Sequence, residues 1–256
     1  MPEPTAVLIS LSSFGAAEVR RHGQAWFTRL AAAAGADGVE VRGELLVDGD
    51  AELPAIAQAA SGMQRVYSSP DGLWTADGLL DRAALELGLA RARALDAPRL
   101  KMSIGGWRAS AARSLADLRD RLADTPVELV IENDQTAPAG TQAALARFLD
   151  AADGAGLSLG LTFDMGNWHW AGECPQAAAA AFAPRVRYVH CKGVQRRPHR
   201  WVAVPIADSA APWRAVLRAM PAGVPWAIEY PLAGDDLQDV TRREIAQLRA
   251  VSETLT

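Results

Sequence analysis

Short β-rich runs alternate with longer Ala-, Leu- and Arg-rich stretches of helical period, and the alternation persists to the end of the chain. The first run is AVLISLS at 6–12, followed by a helical stretch over roughly 17–34 that stops at Gly35. GVEVRGEL begins at Gly38 and leads into a helix from about Ala51; QRVYSSP begins at Gln64 and leads into DGLLDRAALELGLARARAL from Asp77, nearly all good helix formers. RLKMSIG follows from Arg99, VELVIEND from Val127, LSLGLTFD from Leu157, VRYVHCKG from Val186 and PWAIEYP from Pro225. Each has a helix candidate behind it, the last being DDLQDVTRREIAQLRAVSET. Eight such units predict an α/β fold: a single (β/α)8 TIM barrel of parallel strands and outer helices, occupying 1–256 as one domain. An open doubly wound sheet would show the same alternation, but SLSSFG stands after the first strand where that fold carries a Gly-rich phosphate loop.

Charge and composition narrow the partner. A formal net charge of -4 gives none of the broad attraction that nucleic acid or an anionic membrane requires, and a small molecule is expected instead. No apolar run approaches the roughly 20 residues of a membrane span, the start lacks a basic leader, and two cysteines are too few for a disulfide scaffold. A cytoplasmic protein is expected. Lys101 and Lys192 are the two lysines among 26 basic residues, so surface charge falls to arginine and each lysine position invites a specific explanation.

In a barrel, alternate side chains face the interior, and chemistry gathers where strands end at the C-terminal mouth. Leu129 and Ile131 face the helices, which turns Glu132 inward; Leu161 and Phe163 do the same for Asp164, Val189 and Cys191 for His190, and Ile228 and Tyr230 for Glu229. Four consecutive strands thus deliver Glu, Asp, His and Glu to one mouth. Carboxylates crowded in a barrel interior meet a large desolvation penalty, which a divalent cation would relieve. Oxygen-rich ligation with one imidazole suits Mn²⁺, Mg²⁺ or Co²⁺.

The motifs VIEND, LTFDMGN, YVHCKG and AIEYP, in this order, make the chain similar to the xylose isomerase-like barrels, a superfamily of sugar isomerases and epimerases. Within its ketose 3-epimerase and hydroxypyruvate isomerase branches, the resemblance implies one divalent metal on Glu132, Asp164, His190 and Glu229. It further implies that Glu132 and Glu229 act as acid and base on opposite substrate faces, and that the protein is a homodimer. Two departures stand out: Asn167, where those branches often have histidine, and Gly193, where an acidic residue often follows the strand-seven lysine.

For a carbohydrate substrate, such a site would turn a hydroxy-ketone into a metal-stabilised enediolate, with burial raising the glutamate pKa to strengthen the base. Trp107, Trp168, Trp170 and Trp201 follow strands and offer faces to a sugar ring. His169 stands beside Trp168, and Lys192 shares parity with His190 and reaches the mouth. Asn167, Trp107, Trp168 and Arg197 complete the substrate-contact candidates, with Glu40 facing the barrel beside Arg42. Arg196, Arg197, His199 and Arg200 form a basic loop that could receive an anionic group. Lys101 is expected to pair with Glu128. Competing readings are a lyase or dehydratase on a keto-sugar or keto-inositol, an apurinic endonuclease-like enzyme, and a non-catalytic sugar-binding barrel.

Overall fold

Residues 5–255 are described by a computed structural model. Eight parallel strands close into a barrel: β1 (Val7–Ser10), β2 (Gly38–Arg42), β3 (Gln64–Ser68), β4 (Arg99–Met102), β5 (Glu128–Glu132), β6 (Gly160–Asp164), β7 (Val186–Cys191) and β8 (Trp226–Ile228). They lie around the ring in chain order, β1 meeting β8 with Val7 beside Trp226. Outward residues such as Val7, Ile9, Leu129, Ile131, Phe163, Val189 and Ile228 are buried against the helix layer. Inside, Leu8, Val66, Tyr188 and Ala227 form a small apolar cluster that closes the barrel below the charged mouth. No helix among the described residues is long and apolar enough to cross a membrane.

Three local departures from the sequence expectation have identifiable causes. The first helix divides into Ala16–His22 and Gln24–Ala33 at Gly23, whose φ of +80° only glycine adopts readily. Gln24, buried at the break, then brackets the end of β2: its Nε2 donates to Arg42 O at 2.9 Å, and Arg42 N donates to its Oε1 at 2.8 Å. The helix expected from Asp77 begins at Arg82, capped by Asp81 accepting from Ala84 N. The basic stretch read as a loop is an antiparallel hairpin, Gly193–Arg197 with Arg200–Val204. A side chain at Gly193 would collide with the carbonyls of Val204 and Pro205, which accounts for glycine there.

Between β6 and β7 the register shifts at Leu161/Thr162, so that Thr162 pairs with Tyr188 and Asp164 with His190. Arg187, at the shift, lies over Gly160, where any Cβ would strike its stem. The irregularity levels Asp164 with His190 at the mouth.

Candidate metal centre and its mouth

Each candidate ligand sits within one residue of a strand end. Glu132 and Asp164 terminate β5 and β6, His190 lies in β7, and Glu229 follows β8 with its N–H donating to Cys191 O at 3.1 Å. One donor atom from each of the four lies within 4.8 Å of every other. Their exposures divide by type: Asp164 and His190 side chains are fully buried, whereas Glu132 and Glu229 retain 15% and 12% exposure.

The imidazole decides what the cluster can hold. His190 Nε2 lies 2.7 Å from Glu40 Oε2, and because a carboxylate can only accept, Nε2 carries the hydrogen. Nδ1 then points at Glu229 Oε2 (2.9 Å), Glu132 Oε1 (3.0 Å) and Asp164 Oδ2 (3.7 Å), all acceptors. A lone pair facing three acceptors fits only if a positive charge stands there, either a proton on Nδ1 or a cation among the four donors. Burial would lower the His190 pKa, but Glu229 and Glu40 outweigh it and carry it well above the ordinary value. The donor set, hard oxygens with one oriented imidazole, fits a divalent ion.

The protein also brings its own cations, a point that strand parity alone did not disclose. Lys192 Nζ lies 2.6 Å from Asp164 Oδ2 and 2.7 Å from Glu229 Oε2. Lys101, fully buried, lies 2.8 Å from Glu132 Oε1 and 3.2 Å from Glu40 Oε1. Arg42 spans the mouth from β2, its Nη1 donating to Glu40 Oε1 at 2.9 Å and to Glu229 Oε1 at 2.7 Å, its Nε to Glu44. Both lysines of the chain therefore serve this one cluster. Glu40, Glu132, Asp164 and Glu229, with Glu44 at the more exposed rim, face three side-chain cations and a histidine, so charge balance alone does not demand a metal. The case for one rests on the donor set, three carboxylates and one imidazole with a donor atom each within 4.8 Å of the others.

The cations also overturn the expectation of a raised glutamate pKa. Burial would raise the Glu132 carboxyl, but Lys101 and His190 outweigh it and hold it below its usual value. For Glu229, burial is again outweighed, by His190, Lys192 and Arg42, and the carboxyl lies well below the usual range. Both glutamates are held ionised.

Other expectations change place. Lys101 does not pair with Glu128: in the β4–β5 register Arg99 stands beside Glu128 and takes it with Nε and Nη2, each at 3.0 Å from Oε2, one level lower. Glu40 is fully buried under His190 and supports the ring instead of touching substrate. Asn167 is spent within the protein, its Oδ1 accepting from Gln135 Nε2 and Lys192 Nζ and its Nδ2 donating to Asn133 O. Trp168 has no exposed surface and packs between Phe163 and Phe182 in the helix layer. His169 is half-buried and lies 4.8 Å from the Trp201 ring, while Arg197 is exposed on the hairpin, paired in register with Arg200. Arg42 and Lys101 are the mouth residues that sequence reading did not assign. The rarity of lysine was the available signal for the second.

A cavity of about 310 Å³ opens beside Glu132 and Arg42, on the side of the mouth made by the loops after β2 to β5. Ser68, Ser69 and Ser103 line it together with Glu44, Asp71 and Asp134. Hydroxyl and carboxylate groups thus wall the space next to the donor cluster.

A sequence profile described as "Xylose isomerase-like TIM barrel" matches residues 28–251. No match is found among curated protein sequences. Among solved structures, a xylose isomerase domain protein of Alicyclobacillus acidocaldarius superposes with a TM-score of 0.66 at 19% identity, over 97% of this chain and 99% of that one. D-allulose 3-epimerase from Methylomonas sp., solved with D-allulose, gives 0.67 at 16% identity, covering 97% and 98%. The probable 3-DHS dehydratase AsbF of Bacillus anthracis gives 0.67 at 14% identity, covering 95% and 98%. At these identities the likeness is one of fold.

Proposed function

Because the chain belongs to the xylose isomerase-like TIM barrel family, we propose that it is a divalent-metal-dependent isomerase or epimerase of a keto-sugar or related hydroxy-ketone. Glu132 and Glu229 form its proton-transfer pair. The observation that carries this reading is the division within the donor cluster: Asp164 and His190 are sealed from solvent, while the two glutamates keep an exposed edge from which to reach a substrate. A divalent ion on the four donors would supply the electrostatic stabilisation that makes a proton beside a ketone removable.

The remaining chemistry belongs to the chain. β5 and β8 stand three strands apart around the ring, so their glutamates approach a molecule in the mouth from different sides. Each is an ionised carboxylate, ready to accept a proton from carbon. Their orientations are fixed, Glu132 by Lys101 and Glu229 by Arg42 and Lys192, which keeps each oxygen within a narrow approach. Return of the proton to the neighbouring carbon gives isomerisation; relay of a solvent proton through the other glutamate to the opposite face, with the first glutamate releasing its proton to solvent, gives epimerisation. Expulsion of a β-hydroxyl instead would make the enzyme a dehydratase.

The test is a screen of Mn²⁺-loaded protein against keto-sugars and keto-inositols in deuterated water, read by NMR and mass. Deuterium entering the carbon next to the ketone without mass loss is the expected result. A dehydrated product would move the assignment to the lyase. No exchange and no turnover across the panel would defeat the enzyme reading.

A further inference from the structure

Asp164 meets the donor cluster with one oxygen. Its Oδ1 accepts from Gly166 N at 2.8 Å and from Asn167 N at 2.9 Å, which fills both lone pairs of that atom. Oδ2 is left to face the cluster, 3.7 Å from His190 Nδ1 and 2.6 Å from Lys192 Nζ. The side chain is sealed from solvent, so turning Oδ1 toward the cluster would strand two buried N–H groups.

The backbone that carries this carboxylate is fixed by Asn133. β5 ends at Glu132, and just beyond it the Asn133 carboxamide does what a further length of strand would do. Asp164 N donates to Asn133 Oδ1 at 2.8 Å, and Asn133 Nδ2 donates to Asp164 O at 3.0 Å. Asn167 closes the ring, its Nδ2 donating to Asn133 O at 2.9 Å while its own N–H holds Asp164 Oδ1. Asn133 and Asn167 are 2% and 6% exposed, so bulk water does not compete for these bonds. Because Asn133 directly follows Glu132, the bracket also ties together two donors on neighbouring strands. Position 167, where the related branches often have histidine, serves this bracket in the present chain.

Glu229 is restricted in the same sense. Its Oε1 accepts from Arg42 Nη1 at 2.7 Å, which leaves Oε2 for the cluster. An ion among the four donors thus meets Asp164 and Glu229 through single oxygens. Ions differ in how well this suits them. Ca²⁺ takes about six to eight oxygens at about 2.3–2.6 Å and often draws both oxygens of a carboxylate, whereas Mg²⁺ and Mn²⁺ suit octahedral shells.

Resting on the metal reading of this cluster, we infer that Asn133 is a positioning residue that holds Asp164 as a one-oxygen ligand and thereby selects a small octahedral ion over Ca²⁺. With the bracket cut, the end of β6 is free to shift, Oδ1 can leave its two N–H donors, and Asp164 can offer both oxygens to the larger ion.

The experiment titrates the metal-free chain with Mn²⁺, read by electron paramagnetic resonance, and then displaces the bound ion with Ca²⁺, for the unaltered chain, Asn133→Ala and Asn167→Ala. Urea unfolding of each variant runs alongside. Asn133→Ala is expected to weaken Mn²⁺ binding about 10–100-fold and Ca²⁺ binding by less, so that the preference for Mn²⁺ falls about tenfold. Asn167→Ala leaves the bonds between Asn133 and Asp164 but opens the ring; it is expected to move the preference the same way by less, and it carries the test if Asn133→Ala does not fold. Equal losses for the two ions, or lowered stability with an unchanged preference, would make Asn133 structural only and overturn the inference. An unaltered chain that binds Ca²⁺ as tightly as Mn²⁺ overturns it too. Absence of saturable Mn²⁺ binding removes the metal reading and the inference together, whereas a Mn²⁺ preference that depends on Asn133, without deuterium exchange into any keto-sugar, keeps the bracket and removes the isomerase.

Discussion

The two halves of the barrel mouth do different work. β5 to β8 contribute the four donors, each from a strand end, while β2 and β4 contribute Glu40, Arg42 and Lys101, which hold three of those donors in place. The donor half keeps a solvent edge at its glutamates; Glu40 and Lys101 in the supporting half are sealed. A site can therefore have its ligands on one side of a barrel and much of their geometry set from the other.

The sharpest way to separate the halves is to remove one group from each. Glu229→Gln in the donor half keeps the shape of the side chain and is expected to lower turnover by about 10²–10⁴-fold, with circular dichroism unchanged. An active Gln variant would break the division at its main claim. Lys101→Met in the supporting half leaves Glu132 and Glu40 without their shared ammonium and is expected to lower stability by about 3–5 kcal/mol in urea unfolding. Unchanged stability would mean that the pairings are incidental. Glu40→Gln is expected to weaken Mn²⁺ binding about 10–100-fold in equilibrium dialysis while leaving the four donors in place. Unaltered affinity would deny the supporting half its role. At the small end, Arg197→Ala on the hairpin is expected to shift stability by less than about 0.5 kcal/mol and leave KM unchanged. A large rise in KM would bring the hairpin back into the substrate site.

The same contrast explains what could be read from residues alone. The donor half was legible because each ligand ends a short strand whose outward neighbours are unmistakably apolar: Leu129 and Ile131 before Glu132, Phe163 before Asp164, Val189 before His190. Parity needs only local pattern, and here it gathers residues that the fold does bring within 4.8 Å. The supporting half was harder. Glu40 and Arg42 share parity with the interior, but nothing in GVEVRGEL says that the guanidinium reaches past β1 to Glu229 at the end of β8. Lys101 was placed one layer too low because a long side chain climbs past its own register, reaching Glu132 instead of Glu128. Trp168 and the hairpin misled for a related reason: a tryptophan after a strand looks the same whether it turns to the mouth or, as here, into the helix layer. The glycines carried more information than expected, with Gly23 breaking a helix so that Gln24 can bracket Arg42.

One measurement reaches the central claim directly. Titration of the metal-free chain with Mn²⁺, followed by electron paramagnetic resonance, is expected to show one saturable ion per chain, lost by more than about 100-fold in both His190→Ala and Asp164→Asn and retained in Glu128→Gln, which lies below the mouth. Absence of saturable binding, or a bound ion that survives both ligand substitutions, would contradict the account.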